Sequence, residues 1–117
     1  MKVSFNETTL LMSLLSSIVI SFVALADTQV FKQYLNMPYS QVRVSLLNEG
    51  WKPVTNKNIH DTSLYAQTIY EKGYDEVTDC ISMERDQCQF ILSKGKEHIL
   101  ITTKEKSLNV ESIELRH

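Results

Sequence analysis

The chain has 117 residues, with 12 basic and 14 acidic side chains and a formal net charge of −2. That balance excludes the basic footprint of a nucleic-acid binder and the charge run of an acidic tail. The length limits the chain to one domain, and two cysteines allow one intramolecular disulfide.

Residues 1–26 read as a signal peptide. Lys2 supplies a positive start, Leu10 to Ala24 an apolar stretch, and Ala24-Leu25-Ala26 a small-x-small cleavage site before Asp27. As a retained anchor the apolar run is short of the roughly 20 residues a bilayer requires, and serines interrupt it. Cleavage would remove one lysine and one glutamate, leaving the net charge at −2 in a single domain over residues 27–117. No membrane association is expected after cleavage. A domain this small folds with a thin margin, and export permits a disulfide to widen it.

Asp27 to Asn36 places Val30 and Tyr34 on one helical face, which fits either a short helix or an arm. Pro38 then opens a helix over residues 38 to 49. Tyr39, Val42, Leu46 and Leu47 recur at amphipathic spacing, with Gln41 and Arg43 on the wetter side. Gly50 ends that helix in the left-handed region. Trp51 follows as a core anchor, and Pro53 marks an edge or cover segment. After a polar loop, Asp61 or Thr62 would cap a second helix through Leu64 and Ile69 to Lys72, ended by Gly73; an irregular segment is the alternative.

The remaining chain reads as a four-stranded antiparallel meander: residues 76–81, 88–92, 98–103 and 108–115. In the last strand Leu108 and Val110 are out of phase with Ile113 and Leu115, which predicts a bulge near Glu111-Ser112. Cys80 and Cys88 directly opposed across the first pair form a disulfide. This sets Thr78 opposite Phe90 and Glu76 opposite Leu92, with Ile81 to Gln87 as the loop. The fold class is therefore α+β, one or two N-terminal helices on a four-stranded meander with one disulfide.

Tyr39-x-x-x-Arg43, Gly50-Trp51-x-Pro53, Gly73-Tyr74-x-Glu76-Val77-x-x-Cys80, Cys88-x-Phe90 and Leu100-x-Thr102-Thr103 together carry a resemblance. The chain resembles, over residues 38 to 103, a group of small exported bacterial domains that join a G-W-x-P element to a two-cysteine hairpin. The resemblance implies export and this fold, and supplies no reaction. The layout is also similar to helix-plus-meander modules such as those of the β-lactamase inhibitor protein and small outer-membrane assembly lipoproteins, without a shared motif. The chain departs from the group in its charged turn, Met83-Glu84-Arg85-Asp86, where glycines are usual, and in lacking a glycine after Thr103.

Catalytic equipment is sparse. His60, His98 and His117 have no metal-ligand spacing, no nucleophile stands beside a base, and no glycine-rich phosphate loop exists. Asp75, Glu76, Asp79, Glu84 and Asp86 crowd the hairpin without the alternating loop of a calcium site, so they read as a solvated acidic edge. No cofactor or metal is expected. The expectation is an exported, periplasmic or secreted, binding domain for a protein partner, of inhibitor or immunity type. An envelope assembly or stress factor is the alternative, and an enzyme is not expected. The candidate partner-binding residues are Met83, Glu84, Arg85 and Asp86, at the tip of a disulfide-pinned hairpin.

Overall fold

The computed structural model describes residues 30–82 and 86–116, so the expected signal peptide lies outside the described residues. The chain divides into two compact units, residues 1–33 and 34–117. At the end of the first, Gln33 Nε2 donates to the Val30 carbonyl at 2.9 Å. The spacing around Tyr34 resolves as a single 3-10 turn, Phe31–Tyr34. Among the described residues no helix is long and apolar enough to cross a membrane.

The second unit lays two helices on one face of an antiparallel sheet. Helix α1, Tyr39–Asn48, starts after Pro38 in extended conformation and buries Tyr39, Val42 and Leu46, the face set by the three-four spacing. Its end is a Schellman turn. Gly50, at φ 101°, donates its N–H to the Leu47 carbonyl at 3.1 Å, and Trp51 donates to Leu46 at 3.0 Å. The positive φ requires glycine there, and the turn delivers Trp51 into the core at 6% exposure, as expected. Helix α2, Leu64–Glu71, ends by the same device: Gly73 (φ 109°) donates to Tyr70 at 3.0 Å and Tyr74 to Ile69 at 3.4 Å.

The cap of α2 is Ser63, not Asp61 or Thr62: its hydroxyl accepts from the Ala66 N–H at 3.1 Å. Residues Ile59–Asp61 form a separate 3-10 turn, and the Thr62 hydroxyl is held by the Ile59 carbonyl at 2.6 Å. Asp61 and Thr62 are thereby committed before the helix begins.

The sheet has five strands, one more than the expected meander. They are β1 (Lys52–Pro53), β2 (Val77–Ile81), β3 (Gln87–Lys94), β4 (Glu97–Lys104) and β5 (Asn109–Arg116). β2 to β5 are the meander, and β1 adds to it along the edge of β3 that β2 also uses. β2 pairs with the first half of β3, and β1 pairs Lys52 with Ser93 and Pro53 with Leu92. Proline is tolerated because its missing donor lies at an edge.

Cys80 faces Cys88 and the two form the disulfide, Cα atoms 4.1 Å apart. The rest of the expected register needs correction. Ile81 and Gln87 are paired strand residues rather than loop, and a bulge between Val77 and Asp79 moves Val77, not Thr78, opposite Phe90. Glu76 also does not reach Leu92; its carbonyl accepts from the Ile91 N–H at 3.3 Å. The bulge exposes carbonyls that the ladder cannot satisfy, and Asn56 Nδ2 donates to both Val77 and Thr78 at 3.1 Å. The bulge expected in β5 is present. Thr102 pairs with Ser112 and Thr103 with Val110, leaving Glu111 unmatched.

The helix-facing side of the sheet carries Val77, Cys80, Cys88, Phe90, Leu92, Ile99, Ile101, Thr103 and Val110, all buried. The small ring closed by the disulfide restricts the unfolded chain. Replacing both Cys80 and Cys88 by alanine is expected to lower stability by about 2–3 kcal/mol in urea denaturation. An unchanged urea midpoint would show that the bond contributes nothing to the frame.

Candidate functional site

The motif residues of the helix and the hairpin converge on one point. Tyr39 and Arg43 lie one turn apart on α1, and Tyr74 and Glu76 alternate on the segment entering β2, so each pair shares a face. The Glu76 side chain has no exposed surface. Its Oε1 accepts from the Tyr39 hydroxyl at 2.7 Å and from Arg43 Nε at 2.5 Å, and Oε2 accepts from Arg43 Nη2 at 3.4 Å. The guanidinium lies 5.5 Å from the centre of the Tyr74 ring. Tyr39 stacks on Phe90 at 3.9 Å, and Tyr74 stands edge-on to both rings at 5.7 and 6.4 Å.

Two expectations are corrected here. Glu76 is no part of a solvated acidic edge, and Arg43 is no wet-side residue but a half-buried cation aimed inward. Two of the other acids, Asp75 and Asp79, are also hydrogen-bonded within the fold. Asp75 accepts from the Thr55 hydroxyl at 2.7 Å, and Asp79 Oδ1 accepts from the Cys80 N–H at 2.8 Å and the Ser63 N–H at 3.3 Å. The carboxylate of Glu76 is enclosed and bonded at both oxygens, so the cluster holds α1 to the sheet and offers no free base.

Burial, and then the Glu76 charge, push the Tyr39 phenol far above the usual tyrosine range. The hydrogen bond to Glu76 raises Arg43 against the opposing effect of burial.

The hairpin tip is the second place of interest. Met83, Glu84 and Arg85 lie outside the described residues. Asp86 is half-buried; burial first, and the Asp86 charge second, push the Tyr65 phenol on α2 upward. The start of α2 is tied to the same end of the hairpin, because the Ser63 hydroxyl also donates to the Cys80 carbonyl at 3.1 Å. Beside these ties stand two large apolar side chains in water, Leu64 at 81% and Ile81 at 59% exposure.

The third feature is a groove of about 500 Å³ lined by Tyr65, Thr68 and Ile69 of α2, by Lys72 at its cap, by Tyr74, and by Lys106 and Leu108 of the β4–β5 loop. Both Glu105 (φ 65°) and Leu108 (φ 56°) of that loop adopt left-handed backbone, which costs non-glycine residues roughly 1–3 kcal/mol each. The loop is held by Leu108 N–H donating to Glu105 at 3.0 Å and by the Leu108 carbonyl accepting from the Tyr39 N–H at 2.9 Å.

Sequence reasoning passed over the Arg43–Glu76 pair, the Leu64–Ile81 end and the groove. Only the first had a signal, in the four-residue spacing of Tyr39 and Arg43 and the two-residue spacing of Tyr74 and Glu76. Among the described residues no group of three or more histidine, cysteine or acidic side chains is placed to hold a metal. No protein-family model, curated protein or solved structure matches the chain.

Removing Arg43 leaves a buried carboxylate with the Tyr39 hydroxyl as its remaining side-chain donor among the described residues. Arg43→Met is therefore expected to cost about 3–5 kcal/mol by urea denaturation, while Arg43→Met with Glu76→Met recovers most of that loss. Equal losses in the single and double variants would deny the pair its role.

The raised Tyr39 pKa carries a sign. Stability from this group is fully present below the unfolded tyrosine pKa near 10 and is lost as pH rises above it, because only the unfolded chain ionises there. Between about pH 10 and 11.5, Tyr39→Phe should flatten the fall in stability by up to about 1.4 kcal/mol per pH unit. Parallel curves for parent and variant would refute this.

Proposed function

We propose that the chain is a small exported binding domain, of inhibitor or immunity type, that acts in the periplasm or after secretion. It engages a protein partner through the end of the molecule where the disulfide hairpin meets the start of α2. Kinship with the exported G-W-x-P group belongs to the same reading.

The observation that carries the proposal is the exposure of Leu64 and Ile81 on a frame already fixed by the Cys80–Cys88 bond and the Ser63 cap. Large apolar side chains on a rigid support bury area on binding at small ordering cost. Asp86 and the exposed Asp79 flank them and supply orientation. The disulfide is compatible with an oxidising compartment, which supports the export half of the reading.

The test uses the oxidised protein as bait against envelope and culture-supernatant fractions of the source cells. Beside it runs a Leu64→Ser, Ile81→Ser variant of matched thermal stability. The parent is expected to enrich one partner at least about tenfold over the variant. Recovery of that partner in equal yield would move the surface elsewhere, and recovery of no partner from either fraction would defeat the binding reading.

A further inference from the structure

The groove beside α2 is electrically lopsided. Tyr65 and Lys72 are seven residues apart on α2 and its cap, about 10 Å along the helix. At the Tyr65 end the charge of the Asp86 carboxylate acts on the ring. Lys72, at the cap of α2, and Lys106, on the β4–β5 loop, both line the groove, are exposed, and have no ion-pair partner among the described residues. The third cation nearby, Arg43, is already neutralised by Glu76. The rest of the lining is Ile69, Leu108 and Tyr74, with Thr68, whose hydroxyl is bonded to the Leu64 carbonyl.

Two independent features hold this lining in shape. Tyr74 is fixed edge-on against Tyr39 and Phe90. The β4–β5 loop places Lys106 and Leu108 on the groove through left-handed backbone at Glu105 and Leu108, pinned by the Tyr39 N–H. Strained backbone kept in place by hydrogen bonds is the pattern of a preorganised contact surface.

We propose that this groove takes an extended acidic segment of a protein partner, a deepening that rests on the binding reading above. A carboxylate sits between Lys72 and Lys106, and an apolar side chain two or three residues away lies on Ile69 and Leu108 against the Tyr74 ring. About three extended residues span the 10 Å between the ends, at roughly 3.3–3.6 Å each. A basic segment would meet two unneutralised ammonium groups, so the charge pattern selects the sign of the ligand.

The probe is the tetrapeptide acetyl-Leu-Ala-Glu-Glu-amide, titrated into the ¹⁵N-labelled, disulfide-intact protein, with the Gln-Gln and Lys-Lys analogues in parallel. Expected are saturable shifts of the Ile69, Lys72, Lys106 and Leu108 amides. Binding should be at least about fivefold weaker for the Gln-Gln peptide and fall as sodium chloride is raised. A Lys72→Glu, Lys106→Glu variant with unchanged melting temperature should lose the shifts. The single replacements Lys72→Gln and Lys106→Gln should each weaken them.

No saturable shift at millimolar peptide, equal response to the Glu-Glu and Gln-Gln peptides, or shifts centred on Leu64 and Ile81 would overturn the assignment. The lysine variants leave the hairpin end intact. Partner capture undiminished in the double lysine variant would therefore overturn this groove assignment alone, and capture undiminished in the Leu64, Ile81 variant would overturn the wider reading alone.

Discussion

The structure depends on a carboxylate that has left water. A side chain such as Glu76 is stable in a core only if its charge is met and its oxygens are bonded, because the cost of desolvating it otherwise exceeds what one contact returns. Arg43 and Tyr39 meet it from α1, which sets how that helix is rotated about its axis. Rotation then decides the packing: with Tyr39 turned inward its ring stacks on Phe90, and Val42 and Leu46 follow it into the core. A more apolar pair of equal volume would hold the layers as firmly. The ion pair adds a requirement of geometry, since the guanidinium satisfies the carboxylate in few positions.

The bulge in β2 has a separate cause. Cys80 must face Cys88, and Val77 must sit in the core opposite Phe90; without an extra residue a strand of period two cannot satisfy both, because Val77 and Cys80 are three apart. Thr78 is the extra residue that reconciles them. The polar cost is met by Asn56, whose amide bonds the two carbonyls at the bulge and ties the loop after β1 to β2. The same loop is fastened a second time by the Asn56 N–H to the Asp75 carbonyl at 2.8 Å. The edge of β3 is thus closed by two short segments instead of one long strand.

What could be read in advance follows from the range of the interactions. Helix α1, its glycine stop, the Cys80–Cys88 pairing and the bulge in β5 are written in neighbouring residues, as spacings of three and four or as a phase break between Val110 and Ile113. The bulge in β2 escaped because threonine suits a strand, so the register was carried from the cysteines straight through Thr78. The α2 cap escaped because Asp61, Thr62 and Ser63 are all capping residues in succession, and only tertiary bonds choose among them. Burial of Glu76 escaped because its partner is 33 residues away and a lone acid beside Asp75 and Asp79 is by default a surface residue. At the candidate site, the pinned hairpin was legible, while the exposure of Leu64 and the placing of Lys72 and Lys106 on one groove depend on how α2 lies on the sheet.

Both proposed contact regions are built on α2, and this has a physical reason. A helix of eight residues has little stability of its own and must be held from outside. Here its start is held by Ser63 bonding into β2 beside the disulfide, and its end by the turn that carries Tyr74 into the aromatic cluster around Tyr39. Fixed at both termini, with Ala66 and Ile69 buried beneath, the helix keeps its outer residues in one arrangement without needing them for packing. Leu64 at one end and Lys72 at the other are therefore free to differ in chemistry while sharing one support. A partner that reached both would bind at two places on a rigid body, and the second contact would form at the effective concentration set by the first.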